Sequence, residues 1–172
     1  SGGFGTAIRA ARAHPDARIL LIDSMDRLGG TSTVGGVNNW EPGIGGPGVH
    51  YELYTRLPGN AIGVGKSVHD YSKEEPYGFS RIDPASSYES SLRRSARSRA
   101  DVRRVHFEPD VMAQAMHEML TEAGVEIRYR TRFTDVSVQG RQILSVAAHP
   151  LDGGAPYEIR SKLFVDCSGG CH

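Results

Sequence analysis

The tightest constraint on this chain lies at its start, where a small-residue helix pattern, SGGFGTAIRAAR, passes through His14-Pro15-Asp16 into the apolar run ARILLID. Phe4, Ala7, Ile8 and Ala11 recur at i, i+3, i+4 and i+7, which predicts a helix over 2–13 with one face packed on a sheet. The unbroken Ile19-Leu20-Leu21-Ile22 run within 18–23 predicts a strand covered on both faces, as parallel strands are. A helix leading into such a strand is part of a βαβ crossover, so the expectation is an α/β fold with a parallel sheet and flanking helices.

Asp23 ends that strand, 20 residues after Gly3. In a Rossmann unit this order has a physical purpose. The glycine turn lets backbone approach a pyrophosphate, the first helical turn offers unpaired N–H donors and a positive dipole end, and the acid takes a ribose hydroxyl. A complete G-x-G-x-x-G also needs a preceding strand and earlier glycines. With Gly3 as the third glycine, the second falls ahead of Ser1. The residues therefore read as part of a longer protein, with the rest of the parent chain as a partner and the central strand of a doubly wound sheet expected before Ser1.

Composition is that of an ordinary globular domain. With 172 residues, 38% hydrophobic and 23% charged, the chain is long enough for one sizeable core. Its 20 basic and 20 acidic side chains cancel, so no net field points to nucleic acid or an anionic membrane surface. The apolar runs are too short for a membrane span. No signal peptide is visible, which favours the cytoplasm and leaves open a leader ahead of Ser1. Cys167 and Cys171 are the only cysteines, spaced for neither a C-x-x-C pair nor a zinc knuckle, and no metal site is expected. Packing thiols are the default reading.

From Gly29 to Gly65 glycine crowds the chain around its only tryptophan, Trp40, and excludes a regular helix or strand throughout. Such density either brings backbone close to a flat ligand or marks a flexible surface loop. Residues 66–104 are polar, with Arg93, Arg94, Arg97, Arg99, Arg103 and Arg104, and read as an insertion or lid over about 34–105. A solvated helix face explains those arginines better than an anion clamp. Regular structure is expected from Glu108. Pro109 suits a first helical position, Gly124 a C-terminal cap, and Met112, Ala115, Met116, Met119 and Leu120 form a core stripe between them. Strands are predicted at 125–129, 134–138, 143–148 and 157–160, the last three forming a small antiparallel meander turned at Gly140 and at Gly153-Gly154. A last apolar strand is predicted at 162–166, running into Cys167-Ser168-Gly169-Gly170.

These pieces resemble the FAD-dependent oxidoreductases with a glutathione-reductase-type Rossmann fold. SGGFGTAIRAAR resembles the glycine turn and first helix, ILLIDSMDRLGGTSTVGG the second strand and flavin-side loop, FEPDVMAQAMHEMLTEAGVEIRYRTRFTDV the helix and strand before the meander, and KLFVDCSGG the closing strand and turn. The resemblance implies an incomplete doubly wound FAD-binding domain, lacking its first strand and the C-terminal part. It implies that Gly2, Gly3 and Phe4 approach the FAD pyrophosphate and that Asp23 binds the adenosine ribose. Gly29, Gly30, Thr31 and Ser32 would lie along the pyrophosphate and flavin side. Phe133 stands where the family contacts adenine through backbone atoms, and Ser168 and Gly169 would close the last turn, with Cys167 in place of the usual alanine. The family often continues that turn with an acid, where this chain has Gly170, Cys171 and His172.

The implied activity is an FAD-dependent oxidoreductase moving a hydride between a small-molecule organic substrate and flavin N5, with an unidentified electron acceptor. Asn38, Asn39 and Trp40 are candidate wall residues, and no catalytic acid or base is singled out. His50, His69 and His106 are candidate proton donors beside a flavin, a role open to imidazole in general, but surface or structural placement is the simpler reading of each. Two alternatives stand beside this. An NAD-dependent dehydrogenase uses the same glycine turn and ribose acid, although the GGTST loop and the long interruption after Asp23 argue against it. A non-catalytic nucleotide-binding module would keep the fold without the chemistry. A serine hydrolase lacks its G-x-S-x-G elbow.

Overall fold

The computed structural model describes residues 2–40, 48–58, 62–65 and 104–169. In chain order its first elements are α1 (Gly2–Ala13), β1 (Leu20–Ile22), a 3-10 turn (Gly30–Ser32), β2 (Asn39–Trp40), α2 (Val49–Arg56) and β3 (Ile62–Gly65). There follow β4 (Arg104–Phe107), α3 (Pro109–Glu122), β5 (Glu126–Arg128), β6 (Thr131–Gln139), β7 (Gln142–Pro150) and β8 (Tyr157–Ile159). The chain groups into two compact units, Ser1–Gly30 with Met116–His172, and Thr31–Ala115.

In the first unit α1 buries the face its periodicity predicts, Phe4, Ala7, Ile8 and Ala11. It stops at His14, whose N–H still reaches the Ala10 carbonyl at 3.0 Å before Pro15 ends the hydrogen-bond ladder. β1 pairs with β5 in parallel, Leu20 opposite Glu126, Leu21 opposite Ile127 and Ile22 opposite Arg128. The second half of α3 contributes Met116, Met119 and Leu120 to the core, and Gly124 ends that helix in the left-handed region at φ 76°. The Val125 N–H then bonds back to the Leu120 carbonyl at 3.0 Å and starts β5.

β6, β7 and β8 form the antiparallel meander, turned at Gly140 and at Gly153-Gly154, all with positive φ. A bulge between Phe133 and Asp135 breaks the β6–β7 register. The expected strand at 162–166 does not form. Leu163 and Val165 stay exposed, at 77% and 57%, because a strand exists only through pairing and no described strand pairs with this segment.

The second unit departs further from expectation. β4, placed outside regular structure by its Arg-rich approach, is the middle strand of an antiparallel sheet in the order β2-β4-β3. Asn39 pairs with His106 and Ile62 with Phe107, contacts made across long stretches of sequence. Leu53 and Leu57, with Phe107 and Met112, are buried in this unit. Arg93, Arg94, Arg97, Arg99 and Arg103, with His69, fall outside the described residues, as do Gly170, Cys171 and His172. Among the described residues no helix is long and apolar enough to cross a membrane.

Candidate functional site

The first unit brings the start of α1, the middle of β1 and the turn after Asp166 together. A side chain built at Gly3 would rest 3.6 Å from Cys167 Cβ and 3.7 Å from Leu21 Cδ1, and one at Gly2 would lie 3.9 Å from Cys167. The first turn of α1 contains no acid, so its unpaired N–H groups keep their attraction for an anion. Phe4 contributes backbone only, since its side chain is buried in the core. Cys167 is a free, exposed thiol with the Thr6 hydroxyl 3.9 Å from its sulfur.

Asp23 follows β1 directly. Its N–H bonds to the Arg128 carbonyl at 3.0 Å and its own carbonyl accepts the Thr131 N–H at 2.9 Å, which locks it against the end of β5. One carboxylate oxygen accepts the Met25 N–H at 2.9 Å, an Asx turn that fixes the side chain and leaves the other oxygen for a ligand. The neighbouring corner is equally tied. Arg130 adopts φ 46°, its N–H bonds the Met25 carbonyl at 2.9 Å, and its guanidinium pairs with Asp152.

At the far end of this unit, the Ser168 N–H donates to Asp166 Oδ1 at 2.8 Å and Gly169 takes φ 73°. The turn after Asp166 is therefore a second Asx turn, with glycine where the left-handed region requires it. Phe133 lies in β6 opposite Ala148 at the edge of the bulge, where the ladder leaves backbone groups out of register. Gly29 and Gly30 also have positive φ, 109° and 53°.

The second unit holds the remaining loop candidates and is described separately. Thr31 anchors a tight turn in which the Val37 N–H bonds its carbonyl at 3.0 Å and the Gly36 N–H bonds the Thr33 carbonyl at 3.2 Å. Thr31 is exposed, Ser32 half-buried and Thr33 buried. The Asn38 side chain is committed to structure, its amide donating to the Phe107 carbonyl at 3.1 Å. Asn39 and Trp40 belong to β2, and His106 to β4.

Motif reading passed over Tyr129. It stands just beyond β5, half-buried, with its hydroxyl 2.9 Å from His117 Nδ1 on α3. Burial, and then the negative charge of Asp23, hold its hydroxyl above the ordinary tyrosine pKa. The signal in the sequence was faint: a tyrosine one residue past a strand whose parallel neighbour ends in the ribose-type acid.

The donor set fits the adenosine diphosphate half of a dinucleotide, with an acid-free helix start for the pyrophosphate and an oriented carboxylate for the ribose. Among the described residues no group of three His, Cys, Asp or Glu side chains is arranged to hold a metal ion. Comparison with curated proteins and with solved structures returns no match. The family model described as FAD dependent oxidoreductase matches residues 1–172, and the chain belongs to that family.

Proposed function

We propose that this FAD-dependent oxidoreductase moves a hydride between a small organic substrate and flavin N5, and that the described residues hold the adenosine diphosphate half of FAD in a glutathione-reductase-type arrangement. The observation that carries the reading is the juxtaposition of the acid-free start of α1 with the turn at Cys167 and with β1, whose last residue is followed by the fixed carboxylate of Asp23.

Backbone N–H groups of Gly2, Gly3 and Phe4 bind the pyrophosphate, where the helix dipole offsets its charge. Asp23 accepts ribose hydroxyls through the oxygen not used by Met25. Ser168 and Gly169 close the turn over the cofactor. Phe133 presents the loosened backbone of the bulge to adenine. Gly29 and Gly30 serve the pyrophosphate and flavin side. We assign about 34–105 as the insertion or lid of the partial FAD-binding domain. When bound, the isoalloxazine supplies the redox chemistry, and the protein's part is orientation and exclusion of water.

The test is titration of the apoprotein of the full chain with FAD. Asp23→Asn removes the carboxylate while keeping a side chain that still caps the Met25 turn. It is expected to weaken FAD binding by about tenfold or more, the scale of a hydrogen bond to a charged group. Unchanged affinity would overturn the ribose assignment. For the reaction, anaerobic reduction by a substrate carrying deuterium at the transferred C–H is expected to slow flavin bleaching. A reduction that leaves that C–H bond intact would overturn the hydride reading.

A further inference from the structure

Tyr129, just past β5, is tied to His117 of α3 by the 2.9 Å bond between its hydroxyl and the imidazole Nδ1. The β1–β5 ladder ends at Ile22 with Arg128, and the next bonds, Asp23 N–H to the Arg128 carbonyl and Thr131 N–H to the Asp23 carbonyl, leave Tyr129 and Arg130 together opposite Asp23, just past the ends of both strands. In open α/β sheets the carboxyl ends of the strands are where ligands bind.

We infer that Tyr129, oriented by His117, is a second ribose-binding residue beside Asp23 at the adenosine end of the dinucleotide site. This rests on the assignment of Asp23 to the ribose.

The chemistry follows from the inventory of the pair. A tyrosine hydroxyl offers one proton and lone pairs, and the 2.9 Å bond to His117 Nδ1 uses only part of that capacity. If the imidazole nitrogen accepts, the Tyr129 oxygen retains a lone pair for a ribose O–H. If the imidazole donates, the Tyr129 proton is left for a ribose oxygen. In either tautomer one hydrogen bond is available, and His117 fixes where it points. The ring stack, with centroids 5.8 Å apart, adds to that restraint. Burial and then the negative charge of Asp23 act on that same hydroxyl.

The experiment compares FAD with an FAD analogue whose adenosine ribose lacks its 2′ and 3′ hydroxyls, titrated into apoprotein of the full chain. Tyr129→Phe is expected to weaken FAD binding by about five- to tenfold, the value of one hydrogen bond. Against the dideoxy analogue the same variant is expected to bind as the unaltered protein does, because the group it would contact is gone. His117→Gln, which keeps a hydrogen-bonding amide, is expected to show a smaller loss with the same dependence on the ribose hydroxyls. An equal loss with both ligands would make Tyr129 merely structural, and no loss with either would also overturn the inference. If Asp23→Asn weakens FAD while Tyr129→Phe does not, the inference fails and the ribose site stands. If Asp23→Asn has no effect, the site assignment fails and takes the inference with it.

Discussion

Substituting Gly35 by alanine tests the geometry of the loop after Gly30 with little room for compensation. A Cβ at this position would stand 2.9 Å from both the Cα and the carbonyl oxygen of Thr31, and 3.3 Å from its carbonyl carbon. These are backbone atoms, so no side chain can swing aside. Restoring ordinary contact at 3.4 Å requires the two segments to part by about half an ångström. The Val37 N–H bond to the same Thr31 carbonyl is 3.0 Å long, and such a movement takes it to the limit of hydrogen bonding. Overpacking of this kind costs about 1–3 kcal/mol. Gly36 is the internal control. It adopts φ 72° with open space around the position of a Cβ, so Gly36→Ala carries the left-handed penalty alone, about 1 kcal/mol. Denaturant midpoints of the two variants, measured with the slope held to that of the parent, read the difference directly. Gly35→Ala no more destabilised than Gly36→Ala would refute the close approach of Gly35 to Thr31.

Other expectations follow from burial and charge. Met119→Ala in α3 removes a fully buried side chain and is expected to cost about 2–5 kcal/mol, whereas Val138→Ala on the exposed meander surface should stay near 0.5 kcal/mol, both read by chemical denaturation. Asp152→Asn breaks the ion pair with Arg130, whose side chains are 48% and 65% exposed, so the loss should be below about 1 kcal/mol and should shrink as salt is added. Tyr129 titrates above the ordinary tyrosine range, so its contribution to stability is complete below the unfolded value near pH 10 and is lost as pH rises through the raised folded value. The stability difference between parent and Tyr129→Phe should therefore narrow on the alkaline side, and a difference constant through that window would contradict the shift. Glu158 carries the opposite sign. The Ser145 hydroxyl and then Arg160 lower its pKa, so its stabilisation is present above the unfolded carboxylate pKa and fades as the solution is acidified through the lower folded value, a trend Glu158→Gln should abolish.

The parts of the fold legible in the sequence are those whose causes are local. The α1 face follows from the spacing of Phe4, Ala7, Ile8 and Ala11, and α3 is bounded by Pro109 and the left-handed Gly124 as its capping residues require. The meander is announced by Gly140 and by Gly153-Gly154. β4 escaped because its Arg-Val-His-Phe alternation is only four residues long and follows a polar, Arg-rich stretch, and its strand character comes from Asn39 and Trp40 on one side and residues 62–65 on the other. Residues 162–166 show the converse error. Leu163, Phe164 and Val165 have strand propensity, but propensity without a partner leaves an extended segment with exposed Leu163 and Val165.

The same division runs through the candidate site. Asp23 could be picked out because its position depends on the order of one helix and one strand, and the structure adds only how its carboxylate is held, through Met25. Tyr129 could not, because its significance needs two facts that sequence separates: the register that sets Asp23 beside the end of β5, and the bond that α3 supplies through His117. Phe4 shows the limit from the other direction, a residue rightly placed at the helix start whose side chain belongs to the core. A glycine-turn motif thus specifies backbone donors and one acid, while the side chains that finish a ribose site depend on tertiary pairing. Variants of Asp23 and Tyr129 should accordingly respond together to loss of the ribose hydroxyls, although a search by motif would return only the first.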